Sequence, residues 1–255
     1  MLVYWIDKLK HALRTHQCQH CAARLESQTD AFCPDCQAAL DFRDSHPLFK
    51  INASSPTVCY AATLMNPLVK KILYGYKFYL KPDARRKLGE ILCHYWQHLS
   101  ERPPSGNTLV ISIPPHTGKL DTVRYLARQL AHRFDYDWRT DGLSWTREVA
   151  TQHDLSQRHA RFHNINHSMA CTLEKLPGHV IVIDDLTTTG ATLIEALRAV
   201  HERASELGRP VEVVGLAASH VPLTFQRSRH QNKSRYEPLD PSPSQPLQDA
   251  VFPLD

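Results

Sequence analysis

Apolar residues follow two patterns along the chain, and the two patterns alternate. Short continuous apolar runs bounded by turn residues indicate buried strands, and longer stretches with apolar positions three or four residues apart indicate amphipathic helices. The predicted strands are Val58–Met65, Thr108–Ile113, His179–Ile183 and Val211–Ala217. The predicted helices are Asn66–Tyr76, Asp83–Leu99, Leu120–Phe134 and Ala191–Leu207. Strands that alternate with helices predict an α/β fold, with a mostly parallel sheet flanked by helices.

The segments outside this alternation set the predicted domain limits. Residues 1–57 contain paired cysteines and end in a polar stretch with Pro47 and Pro56, which indicates an amino-terminal module and its linker. Residues 58–222 form the predicted α/β domain. Residues 223–255 lose periodicity and are rich in Ser, Arg, Gln and Pro, so we expect a disordered carboxy-terminal tail.

Composition narrows the class of protein only slightly. A chain of 255 residues with 42% apolar residues is long enough for one α/β core and a small added module. No apolar run reaches the roughly 18 to 20 residues of a membrane helix, and charged residues interrupt Met1–Leu13, so we expect a cytoplasmic protein without membrane insertion. The formal charge of +4 suits anionic ligands but does not distinguish nucleic-acid binding from other functions.

Four of the seven cysteines have the spacing of a metal site. Cys18 and Cys21 form one Cys-x2-Cys pair, and Cys33 and Cys36 form a second pair after eleven intervening residues. Two such pairs predict a structural zinc ribbon, because each grips one side of a tetrahedral ion and a closed thiolate shell does no chemistry. The alternative is four unligated cysteines in a segment too small to build its own core. The remaining cysteines, expected to be buried apolar residues, are Cys59, Cys93 and Cys171.

The segment Asp184–Thr192 has the composition of a ligand loop, and it lies between the apolar run Val180–Ile183 and a helix. Ligands of open α/β sheets bind beyond the carboxyl ends of the strands, where this segment would lie. Backbone N–H groups and threonine hydroxyls at a helix amino-terminus form a phosphate cradle, and Gly190 allows close approach. The carboxylates of Asp184 and Asp185 would repel a phosphate, so we expect them to face sugar hydroxyls or a magnesium ion. A pentose 5-phosphate offers both chemistries.

The order strand, Asp-Asp, Thr-Thr-Gly-x-Thr and helix resembles the phosphoribosyl pyrophosphate motif of type I phosphoribosyltransferases. The resemblance implies the type I phosphoribosyltransferase fold, and it assigns Asp184 and Asp185 to the ribose hydroxyls as the catalytic pair, with magnesium bound alongside phosphoribosyl pyrophosphate. The residues that it assigns to the 5-phosphate are Thr187, Thr188, Thr189, Gly190, Ala191 and Thr192. The alternative is an acidic turn and a threonine-rich helix cap that bind no ligand.

A cysteine-rich module ahead of such a domain resembles the bacterial competence protein F family, also called GntX-like. Further matches to that family are Lys77-Phe78, Ile113-Pro114 and the segment from Arg147 to Asn164. The residues of that segment that would form a hood over the ligand are Arg147, Gln152, Arg158, Arg161 and Asn164. Arginines near a polyanion site suit bidentate phosphate contacts, although each one alone is also compatible with a solvated surface position.

One stretch departs from the family pattern. The family has a longer loop with an Arg-Gly-Phe-Asn stretch after its Pro-x-Pro strand end, whereas this chain runs from Ile113-Pro114 directly through Thr117-Gly118-Lys119 into a helix. Thr117, Gly118 and Lys119 are still able to cradle a pyrophosphate at that helix start. The shorter loop puts efficient pyrophosphate handling, and therefore turnover, in question.

Three functional hypotheses follow. In the first, the chain is a phosphoribosyltransferase that positions its substrate and stabilises charge, with an acceptor that the sequence does not identify. In the second, it is a non-catalytic phosphoribosyl-ligand sensor that binds single-stranded DNA or a partner, since the resemblance implies DNA uptake in natural transformation with a helicase-like competence protein. In the third, it is a zinc-ribbon interaction module with an inactive second domain.

The DNA hypothesis depends on cations interleaved with aromatic residues, a mixture that tracks a single strand. The cations are Lys70, Lys71, Lys77, Lys81, Arg85, Arg86 and Lys87, and the aromatic residues are Tyr74, Tyr76, Phe78 and Tyr79. The alternative is an ordinary solvated helix face.

Overall fold

The structure is a computed structural model of the chain. It describes residues 17–25, 31–44, 47–52, 56–100, 102–116, 121–149 and 165–222, and all structural statements below concern those residues. The predicted carboxy-terminal tail lies outside them.

Five helices and eight strands are described. The helices are α1 (Pro34–Leu40), α2 (Pro67–Lys77), α3 (Pro82–His98), α4 (Val123–Phe134) and α5 (Ala191–Glu206). The strands are β1 (Phe49–Asn52), β2 (Pro56–Leu64), β3 (Thr108–Ser112), β4 (Asp137–Arg139), β5 (Leu143–Trp145), β6 (Met169–Cys171), β7 (His179–Thr187) and β8 (Glu212–His220).

Six strands form one sheet in the order β1-β2-β8-β7-β3-β4. Every pairing in this sheet is parallel except that of β1 with β2, which is antiparallel. The central strands β3, β7 and β8 are apolar and buried over most of their length, as expected of parallel strands covered on both faces. Strands β5 and β6 form a separate antiparallel pair.

Each face of the sheet has its own apolar core. On one face, α2, α3 and α4 pack over alternate residues of the strands, around the fully buried Trp96. On the other face, α5 packs with residues from β5, β6 and the segment after β6 over the intervening strand residues. The two cores together confirm the predicted class, a mostly parallel sheet flanked by helices.

The amino-terminal cysteine module packs directly against α3. Phe32 lies edge-on to His94, with ring centroids 5.6 Å apart, and the Arg86 guanidinium donates to the Gln19 side chain. The amide of Asn66 donates to the carbonyl of Ala39, N···O 3.1 Å. The module therefore shares the α2–α4 core, and the sequence limits at residues 57 and 222 stay predictions.

Two differences from the predicted elements affect the site. β7 continues through Thr187 because its last residues pair with β8, so the aspartate pair belongs to a strand and not to a loop. Strands β1, β4, β5 and β6 were not predicted, since each is only three or four residues long. None of the described helices has the length and apolar character needed to cross a membrane.

Candidate functional site

The carboxyl end of β7 carries the two aspartates that the sequence assigns to a ligand. Asp184 is 9% exposed and Asp185 is 4% exposed, so both side chains are buried although the pair lies near the end of a strand. Side chains alternate across a strand, and Val182 packs in the α5 core while Ile183 packs in the α2–α4 core. Asp184 therefore lies on the α5 face, and Asp185 lies on the α2 face.

The pKa of the Asp184 carboxyl group is raised above its ordinary value. Its Oδ1 accepts a hydrogen bond from the backbone N–H of Asp185, N···O 2.8 Å. Burial, and then the negative charge of Asp185, raise the pKa of Asp184 to about 7, although Lys77 and the backbone hydrogen bonds act in the opposite direction. A carboxyl group that exchanges its proton near neutral pH is typical of functional sites.

Asp185 forms an ion pair with a lysine at the end of α2. The Nζ atom of Lys77 lies 2.8 Å from Asp185 Oδ1. Burial acts to lower the pKa of Lys77, but attraction to Asp185 outweighs it and the pKa is raised. The sequence assigned Lys77 to a DNA-binding face and not to this site. The available signal was its position four residues after the buried Leu73, at the margin of the apolar face of α2.

The predicted phosphate cradle forms the turn between β7 and α5. Gly190 has φ 81°, the left-handed conformation that favours glycine, and it is the N-cap of α5. The N–H of Ala191 donates to Thr189 Oγ1 over 3.4 Å, and the N–H of Ile194 donates to Gly190 O over 2.9 Å. Thr187 and Thr189 are buried, and Thr188 and Thr192 are half-buried. The turn thus brings hydroxyls and helix-terminal N–H groups next to the aspartate pair.

Only part of the predicted hood and pyrophosphate loop can be located. Arg147 follows β5 and donates to the carbonyl of Asn166, N···O 3.0 Å. Trp145 in β5 donates from Nε1 to Pro114 O over 3.1 Å, and its ring stacks on that of His116 at 4.7 Å. These contacts join the β5–β6 pair to the end of β3. The predicted residues outside the described part of the chain are Thr117, Gly118, Lys119, Gln152, Arg158, Arg161 and Asn164.

The four predicted metal ligands come together in the amino-terminal module. The Sγ atoms of Cys18, Cys21, Cys33 and Cys36 all lie within 4.8 Å of one another, and the Cys21–Cys33 separation is 3.7 Å. A tetrahedral zinc site with bonds of about 2.3 Å has sulfur–sulfur separations of about 3.8 Å, so the cluster fits such an ion. Burial acts to raise the pKa of Cys18, but backbone N–H groups outweigh it and lower the pKa to about 6. The cluster can hold a metal such as zinc.

An exposed surface of rings and cations, here called the cation–aromatic surface, is formed by residues of α2, the connection that follows it, α3 and α4. Its most exposed apolar side chains are Phe78 (66%) and Tyr79 (71%). The Lys81 ammonium lies 5.4 Å from the Tyr79 ring centroid, and Arg85 lies 4.7 Å from that of Tyr125. Its full set is Lys70, Tyr74, Phe78, Tyr79, Leu80, Lys81, Arg85, Arg124 and Tyr125.

This surface is smaller than the predicted set. Tyr76 is 1% exposed and donates its hydroxyl to Thr122 O, because it lies on the buried face of α2. Arg86 and Lys87 pair with Asp83 at helical spacing, at 2.7 and 2.9 Å. Lys77 points into the aspartate site. The structure adds Arg124 and Tyr125 from α4, which the sequence did not single out because they are distant along the chain.

Comparison with known proteins gives a short sequence match. No family model matches the chain. The DNA utilization protein YhgH of Escherichia coli O157:H7 is 33% identical over 70 residues, and that of Salmonella typhi is 34% identical over 70 residues. Each match covers 28% of this chain and 30% of the relative. The chain thus spans less than a third of the length of the curated relatives it matches.

Solved structures of phosphoribosyl enzymes are similar at a low level. Glutamine phosphoribosylpyrophosphate amidotransferase of B. subtilis matches with a TM-score of 0.37 and 17% identity, over 58% of this chain and 30% of that chain. Adenine phosphoribosyltransferase of Leishmania tarentolae matches with a TM-score of 0.32 and 11% identity, over 72% of this chain and 96% of that chain. Similarities of this size do not assign a function, and the fold class rests on the strand order.

Proposed function

We propose that the chain binds phosphoribosyl pyrophosphate, together with magnesium, at the carboxyl end of β7 in a domain of the type I phosphoribosyltransferase fold. The observation that carries this proposal is the continuous arrangement of a buried carboxylate pair, a left-handed glycine and a helix start between Asp184 and Thr192. The carboxylates accept hydrogen bonds from the ribose hydroxyls. The turn around Gly190 donates N–H and hydroxyl groups to the 5-phosphate.

The charges at the carboxyl end of β7 suit a ligand that is anionic at its ends and neutral in the middle. A phosphate beside two ionised carboxylates is repelled, so the phosphate binds at the helix start and the sugar hydroxyls meet the aspartates. Carboxylate oxygens such as those of Asp184 and Asp185 are the ligands that magnesium prefers, and bound magnesium neutralises the pyrophosphate. Phosphoribosyl transfer is the reaction that such a site supports, because holding both ends of the ribose fixes C1 for attack.

Isothermal titration calorimetry of the full chain with phosphoribosyl pyrophosphate, with and without magnesium, tests this function. We expect magnesium-dependent binding that the double variant Asp184→Asn, Asp185→Asn abolishes. The matched control is Glu202→Gln with Glu206→Gln, which also removes two carboxylates but from exposed positions on α5. Undiminished binding by the aspartate variant, or no binding by the unaltered protein, contradicts the proposal.

We also propose that the four-cysteine cluster binds zinc as a structural ion. The fit of the sulfur positions to a tetrahedron supports zinc, and so does the burial of Cys18 (3%) and Cys36 (7%) in a core shared with α3. A closed shell of four thiolates holds no position for a substrate, so the ion organises the module and takes no part in ligand chemistry.

Single-stranded DNA binding is a second candidate function, favoured by the cation–aromatic surface. Phe78 and Tyr79 are 66% and 71% exposed, and cations lie over the rings of Tyr79 and Tyr125. Rings of this kind stack with bases while cations neutralise phosphates. The short match to a DNA utilization protein supports the same direction. A helicase-like partner stays a prediction of the family resemblance.

Binding of a labelled oligothymidylate at increasing salt concentration tests this second function. Each phosphate contact releases counterions, so we expect a steep loss of affinity with salt. Replacing Lys81 and Arg85 by methionine should lower the slope by about 1.4, since each phosphate contact on a single strand contributes about 0.7. An affinity that does not depend on salt, or a slope unchanged in the variant, contradicts DNA binding by this surface.

A further inference from the structure

We propose that Glu195 and Arg198 on α5 are positioning residues of the ligand site, which hold the β5–β6 pair in a fixed place relative to the threonine-rich turn at the start of α5. Neither side chain contacts the ligand. Both act through Met169 in β6 and through Trp145, which lies opposite Met169 in β5. As a statement about ligand affinity the proposal rests on the proposed function, and as a statement about how β5 is held it does not.

Glu195 is a buried carboxylate among apolar residues. Its side chain is 3% exposed, and the other buried residues of α5 are all Ala, Leu or Val. Both of its oxygen atoms accept from Arg198, since Nε donates to Oε2 and Nη2 donates to Oε1, each over 2.9 Å. Apolar residues in place of a buried ion pair often leave a protein equally stable or more stable. Stability alone therefore does not explain the pair, and its contacts with β6 suggest a geometric role.

The pair binds both backbone polar groups of one residue in β6. The N–H of Met169 donates to Glu195 Oε1 over 2.9 Å, and Arg198 Nη2 donates to Met169 O over 2.8 Å. Hydrogen bonds to charged side chains are stronger and more directional than those between neutral groups. Glu195 and Arg198 therefore attach β6 to α5 at a single defined point, about one helical turn after the threonine-rich turn.

The pairing of β5 with β6 explains why Met169 needs partners on α5. Residues of an antiparallel pair alternate between hydrogen-bonded and non-hydrogen-bonded positions. The N–H of Thr146 donates to Ser168 O over 2.8 Å, so the next position, Trp145 opposite Met169, is a non-hydrogen-bonded one. The N–H and C=O of Met169 therefore point away from β5. Because Met169 is buried, these groups need protein partners, which α5 provides.

Trp145 extends the attachment to the end of β3. Opposite residues are closest at a non-hydrogen-bonded position, so Met169 determines where Trp145 lies. The indole Nε1 of Trp145 donates to Pro114 O over 3.1 Å, and its ring stacks on that of His116 at 4.7 Å. Arg147, which the sequence predicts to contact the pyrophosphate, follows two residues later. These contacts join the helix that begins at the proposed 5-phosphate site to the segment predicted to contact the other end of the ligand.

Two sugar phosphates test this proposal, because one is held at both ends and the other at one end. Phosphoribosyl pyrophosphate carries a pyrophosphate that ribose 5-phosphate lacks. The double variant Glu195→Leu, Arg198→Leu removes both charges together and leaves neither one unpaired. We expect it to weaken phosphoribosyl pyrophosphate binding by about tenfold or more, and ribose 5-phosphate binding by less than about twofold, in calorimetric titrations. Equal weakening of both ligands, or of neither, overturns the proposal.

Two further variants separate positioning from a general effect of charge on α5. Glu202→Gln removes the exposed carboxylate that also pairs with Arg198, at 2.7 Å, and should change neither affinity. Glu195→Gln keeps an oxygen for the Met169 N–H and should bind phosphoribosyl pyrophosphate more tightly than the leucine variant does. A loss in Glu202→Gln as large as that in the leucine variant contradicts positioning through Met169.

The exchange rate of the Trp145 indole N–H, measured by NMR without ligand, gives a readout that does not depend on the proposed function. Trp145→Phe assigns this resonance among those of the four tryptophans. The leucine variant should speed the exchange by about tenfold or more, because the indole loses its fixed place beside Pro114 O. Glu202→Gln should leave the rate unchanged. An unchanged rate in the leucine variant overturns the proposal.

Trp145→Phe replaces the leucine variant in the binding experiment if that variant does not fold. It removes the donor to Pro114 O and should cause the same selective loss of phosphoribosyl pyrophosphate binding. Equal losses for both ligands, or no loss, overturn the proposal here too. If the unaltered protein binds neither sugar phosphate, the proposed function fails, and the indole exchange still decides whether Glu195 and Arg198 position β5.

Discussion

The cysteine cluster and the aspartate pair each bring together groups that repel one another when ionised. The repulsion is offset in a different way at each place. Four thiols lie within 4.8 Å in a module that shares its core with α3, a geometry that a single central ion satisfies completely. The two carboxyl groups at the end of β7 have different surroundings, because Asp185 pairs with Lys77 whereas burial and the charge of Asp185 raise the pKa of Asp184 to about 7. A closed cluster stabilises structure, whereas an open one keeps oxygen atoms available to a ligand.

Removing the central ion should have the largest effect. Cys36→Ser, or chelation of the metal, is expected to lower the free energy of unfolding by several kcal/mol, since structural zinc contributes about 10 to 16 kcal/mol to small domains that fold around it. Cys36 is 7% exposed and packs with the module core, so its loss also affects contacts with α3. Thermal unfolding monitored by circular dichroism, with zinc content by mass spectrometry, measures both changes.

The control for this experiment is Cys171→Ser, which changes a half-buried cysteine in β6 outside the cluster. That variant should keep one zinc per chain. A Cys36→Ser protein with unchanged zinc content and melting temperature would mean that the cluster is not a metal site, and the contrast with the aspartate pair would disappear.

Removing the Asp184 carboxyl should have the next largest effect, and the size of that effect depends on pH. The pKa of Asp184 is raised from 3.8 to about 7 in the folded protein. The folded state therefore binds this proton more tightly than the unfolded state, and stability is lost as pH rises from the unfolded pKa through the folded one. The free energy of unfolding of Asp184→Asn, relative to that of the unaltered protein, should increase by about 2 kcal/mol between about pH 5.5 and pH 7, since each pH unit corresponds to about 1.4 kcal/mol. Above the folded pKa this difference should level off.

Chemical denaturation of both proteins at a series of pH values measures this gain. Asp141→Asn is the control, because Asp141 is an exposed carboxyl paired with Arg139, and its pKa is lowered by that hydrogen bond. Its stability difference from the unaltered protein should not grow over the same range. A stability difference between Asp184→Asn and the unaltered protein that stays constant over this pH range would place the proton on a different group.

Removing the paired carboxyl should have a smaller effect of opposite sign. Asp185→Asn leaves the Lys77 ammonium without its partner, and we expect a loss of about 1 kcal/mol at about pH 5.5, where Asp184 is protonated. The full cost of breaking a buried pair is not expected, because the Lys77 side chain is 31% exposed and water screens part of the charge. Denaturation of the double variant with Lys77→Met completes a cycle, and the loss should be recovered there. Strictly additive losses would contradict a direct ion pair.

The sequence predicted the arrangement of elements more completely than the contacts of the site. Continuous apolar runs identified the four strands β2, β3, β7 and β8, because parallel strands are buried on both faces. The aspartates and the threonine-rich turn were found because they follow a strand and precede a helix in one segment. The pairing of Asp185 with Lys77 joins positions far apart in the chain, and the burial of Asp184 depends on the pairing of β7 with β8 beyond Ile183. A local sequence pattern predicts neither the Asp185–Lys77 ion pair nor the burial of Asp184.

The smallest effect on stability, and a large one on binding, is expected for the rings that follow Lys77. Phe78 and Tyr79 are 66% and 71% exposed, so replacing both by serine should change the free energy of unfolding by no more than about 0.5 kcal/mol. If they stack with bases, the same change should weaken oligothymidylate binding by about tenfold or more, since each stacked base contributes about 1 to 3 kcal/mol. Fluorescence anisotropy measures the affinity, and phosphoribosyl pyrophosphate binding by the same variant serves as the control. Lys77 and Phe78 are adjacent in the chain, so the two surfaces are able to form one site. A variant that loses binding of both ligands would show that the aspartate pair and the cation–aromatic surface form one site. Loss of DNA binding alone would show two separate sites beside the same helix.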